Sequence, residues 1–368
     1  MSRSAETRFM LHVLIMAGGG GTRFWPRSRM ARPKQFLSFA GDRTLLQSTL
    51  DRIEAQIPPA RTWVMTSAAH RDEVIRQLPG LPPNQIIGEP CPRDTAPCVA
   101  LGAALIARDD PDAVMLVIPS DHVIEPAREF QRICQAAEQL ALDHPHALIT
   151  FGIVPTWPST GYGYIRRGEP LAERMGIAIH KVREFREKPD AAVARQYLES
   201  KEYYWNAGVF VGKVSAFHEQ FERSEPATWE SAWQIANNWG TSKQAAAMAE
   251  LFPKLRKISF DFAVMEKCPE VLVMAAPYKW DDVGSWLAIE RLNPQDANHN
   301  TVLANHVGIK TEGCIVVGDH GKLIATLGVR DLIIVQDGDC ILVADKSKES
   351  EVKLIVEELR KRGLERHL

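Results

Sequence analysis

Met16-Ala17-Gly18-Gly19-Gly20-Gly21-Thr22-Arg23 closes a short apolar run, His12 to Met16 (HVLIM). An apolar run that stops at glycines reads as a buried strand entering a loop. Four successive glycines let backbone N–H groups approach a phosphate chain with no side chain in the way. Arg23 adds a fixed positive charge, and Lys34, in Arg32-Pro33-Lys34-Gln35-Phe36, adds a second. A triphosphate needs donors of this kind to hold and neutralise it. Two better-known phosphate loops do not fit. GxxxxGK[ST] needs a Lys-Ser or Lys-Thr after the glycines, and GxGxxG counted from Gly18 ends on Arg23. The second mismatch disfavours a nicotinamide dehydrogenase. A glycine run alone also serves as a tight turn, so the phosphate reading depends on the rest of the chain.

Outward from the loop, strands and helices alternate. Thr44 opens a helical pattern with Leu45, Leu46, Thr49, Leu50 and Ile53 on one face, and is placed to cap it. Thr62 to Thr66 reads as a strand, Ala69 to Leu78 as a helix, Gln85 to Ile87 as a strand and Thr95 to Ala107 as an alanine-rich helix. Val114 to Ile118 is almost continuously aliphatic, as in a central parallel strand. Phe130 to Leu142 is helical and Ala147 to Phe151 is a strand. This alternation predicts an α/β fold, a doubly wound sheet with helices on both faces. Tyr162 to Arg166, His180 to Arg186 and Trp205 to Val211 then read as strands of a mixed region. Helical stretches fill much of Ala227 to Leu251, and Val271 to Ala275 returns to strand. The turn formers of Asn293 to Asn300 (NPQDANHN) mark a boundary. Beyond it the chain is β-rich, with strands that recur at no fixed period, and ends in an amphipathic helix near Glu349 to Arg362. The expected division is a catalytic domain over 1–295 and a small C-terminal β-domain with a terminal helix over 296–368.

Composition sets outer bounds. The 368 residues are 45% apolar and 24% charged, which suits a globular protein of two domains. A net charge of -2 leaves no electrostatic footprint for nucleic acid. No apolar run approaches the ~20 residues that span a bilayer, and the polar start, Met1 to Arg8, does not read as a signal peptide. Six cysteines form no CxxC pair and no zinc-spaced cluster, which suits free thiols in a reducing cytosol. A cytoplasmic protein with neither nucleic-acid nor membrane partners is expected.

Acidic residues supply the next clue. Val117-Ile118-Pro119-Ser120-Asp121-His122 places Asp121 just past the C-terminal end of a buried strand, the edge where open α/β sheets bind ligands. Mg2+ takes one or two protein carboxylates plus phosphate oxygens and water, so Asp121 is a candidate ligand. A turn aspartate after a strand is the plainer use. Trp280-Asp281-Asp282-Val283-Gly284-Ser285-Trp286 offers a second acid.

The whole stretch AGGGGTRFWPRSRMARPKQF resembles the signature of the sugar-phosphate nucleotidyltransferases, AGGxGTRLxPLT…PK. Trp25-Pro26 and the ending Pro33-Lys34-Gln35-Phe36 resemble its mannose-1-phosphate guanylyltransferase branch. The resemblance implies a Rossmann-like, GT-A-like mixed sheet of the nucleotide-diphospho-sugar transferase type. It places Ala17, Gly18, Gly19, Gly20, Gly21 and Thr22 around the nucleotide, with Ser120 and Asp121, and puts Arg23 and Lys34 on the β- and γ-phosphates of GTP. Phe24 stands where leucine is usual, a packing change. Gly88-Glu89-Pro90-Cys91-Pro92-Arg93-Asp94-Thr95-Ala96-Pro97 resembles EPxxRNTAP, with Asp94 in place of the asparagine and its amide donors. A carboxylate at Glu89 can accept from guanine N1 and the exocyclic amine together, which adenine cannot match. Thr95, where a helix begins, can cap it or touch the nucleotide. W-x-D-x-G matches with Asp282 as the second metal ligand and Asp281 outside the motif.

Three further segments resemble the sugar half of that family: Gly161-Tyr162-Gly163-Tyr164, Val182 to Pro189 (VREFREKP, against VxxFxEKP) and Asn206-Ala207-Gly208. They imply Gly161, Tyr162, Glu187, Asn206 and Gly208 at the sugar and Lys188 at its phosphate. Leu323 to Thr326 through Val343 to Lys346 resembles the branch's C-terminal domain, which implies a short left-handed β-helix. Relatives that continue into a cupin-type phosphomannose isomerase have a second activity, not expected here. The implied reaction is in-line attack of mannose 1-phosphate on the α-phosphorus of GTP, with Arg23, Lys34 and Lys188 as catalytic cations and Mg2+ on Asp121 and Asp282. A homodimer fits relatives of this kind. Two readings compete: a different sugar 1-phosphate or base on the same chemistry, and a non-catalytic regulator that binds a nucleotide sugar.

Overall fold

The structure, a computed structural model, describes residues 11–19, 21–39 and 41–368, so Gly20 of the glycine loop lies outside the described residues. The chain forms two compact units that interleave along the sequence. One comprises residues 1–18, 50–119 and 124–280, and the other 19–49, 120–123 and 281–368. The sequence division at 295/296 partitions the chain linearly, whereas these units interleave. Three of the five crossings between the units, at Gly18/Gly19, Pro119/Ser120 and Trp280/Asp281, fall inside sequence motifs, and the other two are Thr49/Leu50 and Val123/Ile124.

The first unit is built on a nine-stranded mixed sheet. Its order is Ile86–Glu89, Thr62–Ser67, Leu11–Ala17, Val114–Pro119, Tyr203–Lys213, Leu148–Ile153, Val271–Ala275, Ile177–Glu187 and Gly163–Arg174. The first four strands are parallel, with Val13 opposite Thr62 and Leu116. Val114–Pro119 therefore has a parallel neighbour on one side only, and Tyr203–Lys213 pairs antiparallel with it on the other. Both faces carry helices. Thr95–Asp109 is buried from Ala96 to Ile106, because its alanines and Gly102 let it approach the strand bearing Leu14. The helices Val214–Ser224 and Pro226–Asn238 add Phe217, Phe221 and Trp229 to the same core. Val214–Ser224 was not anticipated, since its apolar pattern continues from Tyr203–Lys213 without a break.

The second unit has a core of its own. Thr301–Leu303, Ile315–Val317 and Leu332–Asp337 stack in parallel, with Thr301 opposite Ile315 and Ile315 opposite Ile333, and Cys340–Asp345 closes the sheet antiparallel. Asn305–Ile309 and Leu323–Leu327 make a second parallel pair. These are β-helix-like rungs. Successive rungs span unequal lengths of chain, which explains the lack of a fixed period. The terminal helix, Val352–Lys361, buries Val352 and Val356. Packed with these strands are Phe24, Trp25, Val283 and Trp286 from the motif segments, and Leu37, Phe39 and Leu45 just beyond the first of them. Thr44 and Gln47 form a reciprocal cap at the start of Leu45–Asp51: Gln47 N–H donates to Thr44 Oγ1 at 3.2 Å and Thr44 N–H to Gln47 Oε1 at 3.1 Å. Among the described residues no helix is long and apolar enough to cross a membrane. All six cysteines are free thiols.

Candidate active site

The loop begins where Leu11–Ala17 ends, and Thr66 Oγ1 donates to the Ala17 carbonyl at 2.9 Å. Gly21 sits at φ 53° against Lys34. A Cβ there would lie 2.5 Å from Lys34 Cβ and 2.9 Å from Lys34 N, so only glycine fits both the conformation and the space. Thr22–Phe24 and Lys34–Phe36 are single 3-10 turns. Between them Phe24 is buried against Phe39 and Trp286, ring centroids 4.7 and 5.2 Å apart. The aromatic ring in place of leucine is thus a core contact. Arg23 stays exposed, with Nη1 3.5 Å from the Gly284 carbonyl.

Lys34 is 8% exposed, and its ammonium donates to Asp121 Oδ2 at 2.7 Å and to the Asp282 carbonyl at 2.5 Å. One cation thereby ties together the three segments that carry Lys34, Asp121 and Asp282. Burial pushes the Asp121 carboxyl up, but Lys34, together with His122 at 3.7 Å, outweighs it and holds the group below its usual range. Ser120 beside it is buried. The two adjacent acids of the last motif differ in kind. Asp281 is buried in an ion pair with Arg291, at 2.6 and 3.0 Å, and takes the Val283 N–H at 2.8 Å. Asp282 Oδ1 takes the Gly284 N–H at 3.1 Å. Val283 between them has φ 47° although buried and β-branched, a conformation that costs about 1–3 kcal/mol and is typical of functional turns. The hard oxygens of Asp121 and Asp282, one favoured in its ionised form by a neighbouring cation, suit a divalent ion. Asp281, held by Arg291, does not serve.

In the first unit, Glu89 ends its strand half-buried, and burial pushes its carboxyl up to about 8. Asp94 precedes the helix at φ 66° and accepts from Thr95 N–H at 2.9 Å. Thr95 is therefore not the cap. It is the first helical residue, and its Oγ1 accepts the Phe260 N–H at 2.8 Å.

The sugar-half segments meet in the same unit. Gly163 pairs with Glu187 across adjacent strands, and Lys188 N–H donates to the Tyr162 carbonyl at 3.2 Å. Lys188, at φ 46°, pairs its ammonium with Glu187 Oε1. Asn206 Oδ1 accepts the Gly208 N–H at 3.0 Å, with Gly208 at φ 65°, while Asn206 Nδ2 donates to Asp261 Oδ1 at 2.7 Å. Gly161 is exposed, its N–H on Ser159 Oγ at 3.2 Å.

With this geometry in place, residues 12–299 match the family described as nucleotidyl transferase. The chain belongs to the nucleotidyl transferase family. Residues 304–359 of this nucleotidyl transferase match the MannoseP isomerase/GMP-like beta-helix domain, in accord with the parallel rungs. The mannose-1-phosphate guanylyltransferase of Escherichia coli K12 is 37% identical over 368 residues, 97% of this chain and 75% of that protein. That of Klebsiella pneumoniae is 38% identical over 355 residues, 95% of this chain and 74% of that protein. A crystal structure described as mannose-1-phosphate geranyltransferase from Thermus thermophilus superposes with TM-score 0.83 at 35% identity, covering 96% of this chain and 100% of that one.

Two features of this nucleotidyl transferase escaped the sequence reading. Asp261 is one. It lies in the short helix Phe260–Ala263, capped by Ser259, and burial with the nearby Glu187 carboxylate pushes its carboxyl up to about 6. In the sequence, Ser259-Phe260-Asp261 looks like an ordinary helix start with an acid in the first turn. The other is an aromatic cluster. Tyr162 lies 5.0 Å from Trp205 and 5.1 Å from Trp280, and Trp157 lies 4.5 Å from Trp205, ring centroid to ring centroid. Only its members at Tyr162 and Trp280 stood in recognised motifs.

Proposed function

We propose that this nucleotidyl transferase joins GTP and α-D-mannose 1-phosphate into GDP-mannose and releases diphosphate. The observation that carries the reading is the Lys34 ammonium bonded to both the Asp121 carboxylate and the Asp282 backbone. A regulator that only bound a nucleotide sugar would have no use for an acid kept ionised beside a buried cation. The relatives named mannose-1-phosphate guanylyltransferase support the choice of substrates.

Asp121 and Asp282 would hold Mg2+, which when bound neutralises phosphate charge as it develops. Gly18, Gly19 and Gly21 present backbone amides to the nucleotide, and Arg23 and Lys34 draw the leaving diphosphate. Glu89 accepts from the guanine edge. Lys188 holds the sugar phosphate, whose oxygen is already an anion, so no residue has to remove a proton. Asn206 and Glu187 bind sugar hydroxyls. Asp261 fixes the Asn206 amide so that its remaining N–H faces one way. Rate then comes from positioning and electrostatics. We place the reaction in the cytoplasm, with no nucleic-acid or membrane partner, and expect a homodimer. We also keep 1–295 as the catalytic segment and 296–368 as the C-terminal segment.

Diphosphate release from the purified chain with Mg2+ tests this. Release with GTP and mannose 1-phosphate, and not with ATP, UTP or glucose 1-phosphate, is the expected result. Release only with another pair would overturn the substrate assignment, and silence with every pair would overturn the reaction.

A further inference from the structure

Three arginines beyond the glycine loop, Arg27, Arg29 and Arg32, have no role in the proposed chemistry. All three converge on one acid, Asp337, 6% exposed at the end of the strand Leu332–Asp337. Arg32 Nη2 donates to Asp337 Oδ1 at 2.6 Å and Oδ2 at 2.8 Å. Arg29 Nη2 lies 3.5 Å from Asp337 Oδ2 and donates to the Asp337 carbonyl at 3.1 Å, while the same guanidinium reaches Asp339 Oδ1 at 3.2 Å. Arg27 Nε lies 3.9 Å from Asp337 Oδ1, and Arg27 Nη2 donates to the Gly318 carbonyl at 3.2 Å. Arg32 also closes the loop on itself, donating to the Arg27 carbonyl at 3.2 and 3.0 Å. A further tie comes from the tail, where Trp25 Nε1 donates to the His367 carbonyl at 2.8 Å.

Asp337 is the buried carboxylate common to all three guanidinium groups, with Asp339 beside Arg29 and Asp319 near Arg27 adding charge from the more exposed side. Its negative charge permits the cations to crowd together, and without it they repel in a partly dry setting. The clamped arginines lie between Arg23 and Lys34 in the chain, so their spacing sets the course of the backbone that carries both. We propose that Asp337 is a positioning residue: by gathering Arg27, Arg29 and Arg32 it holds the loop that presents Arg23 and Lys34, which makes the C-terminal β-domain a working part of the nucleotide site. This rests on the guanylyl-transfer reading for its kinetic consequence, but not for its structural one.

The test is Asp337→Asn in the full chain, which keeps the shape and removes the charge. The expected result is a KM for GTP raised about tenfold or more with the KM for mannose 1-phosphate unchanged, and faster amide hydrogen exchange confined to residues 21–37. A second variant, Arg32→Met in the Asp337→Asn background, removes one of the repelling cations and is expected to restore part of the GTP affinity. Parallel loss in both KM values, an exchange increase spread over the whole domain, or a double variant no better than the single one would overturn the proposal. If the wild type transfers no guanylyl group, the reaction reading fails by itself, and the exchange pattern of residues 21–37 still decides the clamp.

Discussion

Lys34 Nζ lies 2.7 Å from Asp121 Oδ2 and reaches the Asp282 carbonyl with the same ammonium. The pair does two things at once. It neutralises a buried lysine, and it favours the ionised form of the carboxylate proposed to hold the metal. Asp121→Asn retains an oxygen for the lysine to bond but loses the ligand charge. Turnover is expected to fall by about 10³-fold or more, and stability by ~1–3 kcal/mol, because the buried Lys34 ammonium loses its counter-charge. Lys34→Met takes away the cation instead. It is expected to cost ~1–3 kcal/mol of stability as well as turnover, because Asp121 is left without its partner. Steady-state rates together with thermal melts of both variants separate the two effects.

As the proposed guanine reader, Glu89 is expected to make GTP binding depend on pH. Its carboxyl, raised by burial to about 8, carries a proton in the free enzyme below that pH. Guanine offers two N–H donors and needs the carboxylate, so binding releases the proton. The KM for GTP is accordingly expected to fall as pH rises toward 8 and to level off above it. The same shift sets the sign for stability: the folded state prefers the protonated acid, so this contribution is present at low pH and is lost as pH rises through about 8. Glu89→Gln should flatten both dependences and weaken discrimination against ATP, as read from KM profiles between pH 6 and 9.

Asp261 orients Asn206 through a single hydrogen bond to its amide. Asp261→Asn can turn the Asn206 amide over, since an amide in its place can present a donor where an acceptor stood. The KM for mannose 1-phosphate is expected to rise about tenfold, the equivalent of one good hydrogen bond, with the KM for GTP unchanged. Substrate titrations of the variant check this, and equal loss for both substrates would count against a role at the sugar.

Phe24 tests how the loop is anchored. Buried between Phe39 and Trp286, it should tolerate Phe24→Leu at a cost under about 1.5 kcal/mol. Phe24→Ala should cost about 3–5 kcal/mol and weaken GTP binding, because the cavity opens beneath Arg23. Denaturant unfolding and the KM for GTP provide the comparison.

The sheet was readable wherever burial writes itself into composition. Leu11–Ala17, Val114–Pro119 and Val271–Ala275 are aliphatic runs because they are covered on both faces. The hairpin of Gly163–Arg174 and Ile177–Glu187 runs longer than its sequence suggested, since its outer half is exposed and lacks a clean alternation. Asn305–Ile309 was missed for the same reason, its residues being mostly exposed. The interleaving of the two units was hidden from a linear reading. Nothing local in Phe24 or Val283 says that it shares a core with Ile315 and Val335. Gly21, Lys34, Asp121 and Asp282 stood out because phosphate and metal chemistry restricts which residues can serve, and the structure brings Lys34, Asp121 and the Asp282 backbone together. Asp261 was not, because an acid in the first turn of a capped helix has an adequate local explanation.

The most direct measurement tracks the α-phosphorus itself. The chain is incubated with Mg2+, mannose 1-phosphate and GTP labelled at the α-phosphate, and the products are separated. All converted label is predicted in GDP-mannose, with unlabelled diphosphate released in equal amount, and Asp121→Asn is predicted to form both about 10³-fold more slowly or not at all. Label in free GMP or GDP, or conversion by Asp121→Asn at a rate near that of the wild type, would contradict direct transfer at a site built on Lys34, Asp121 and Asp282.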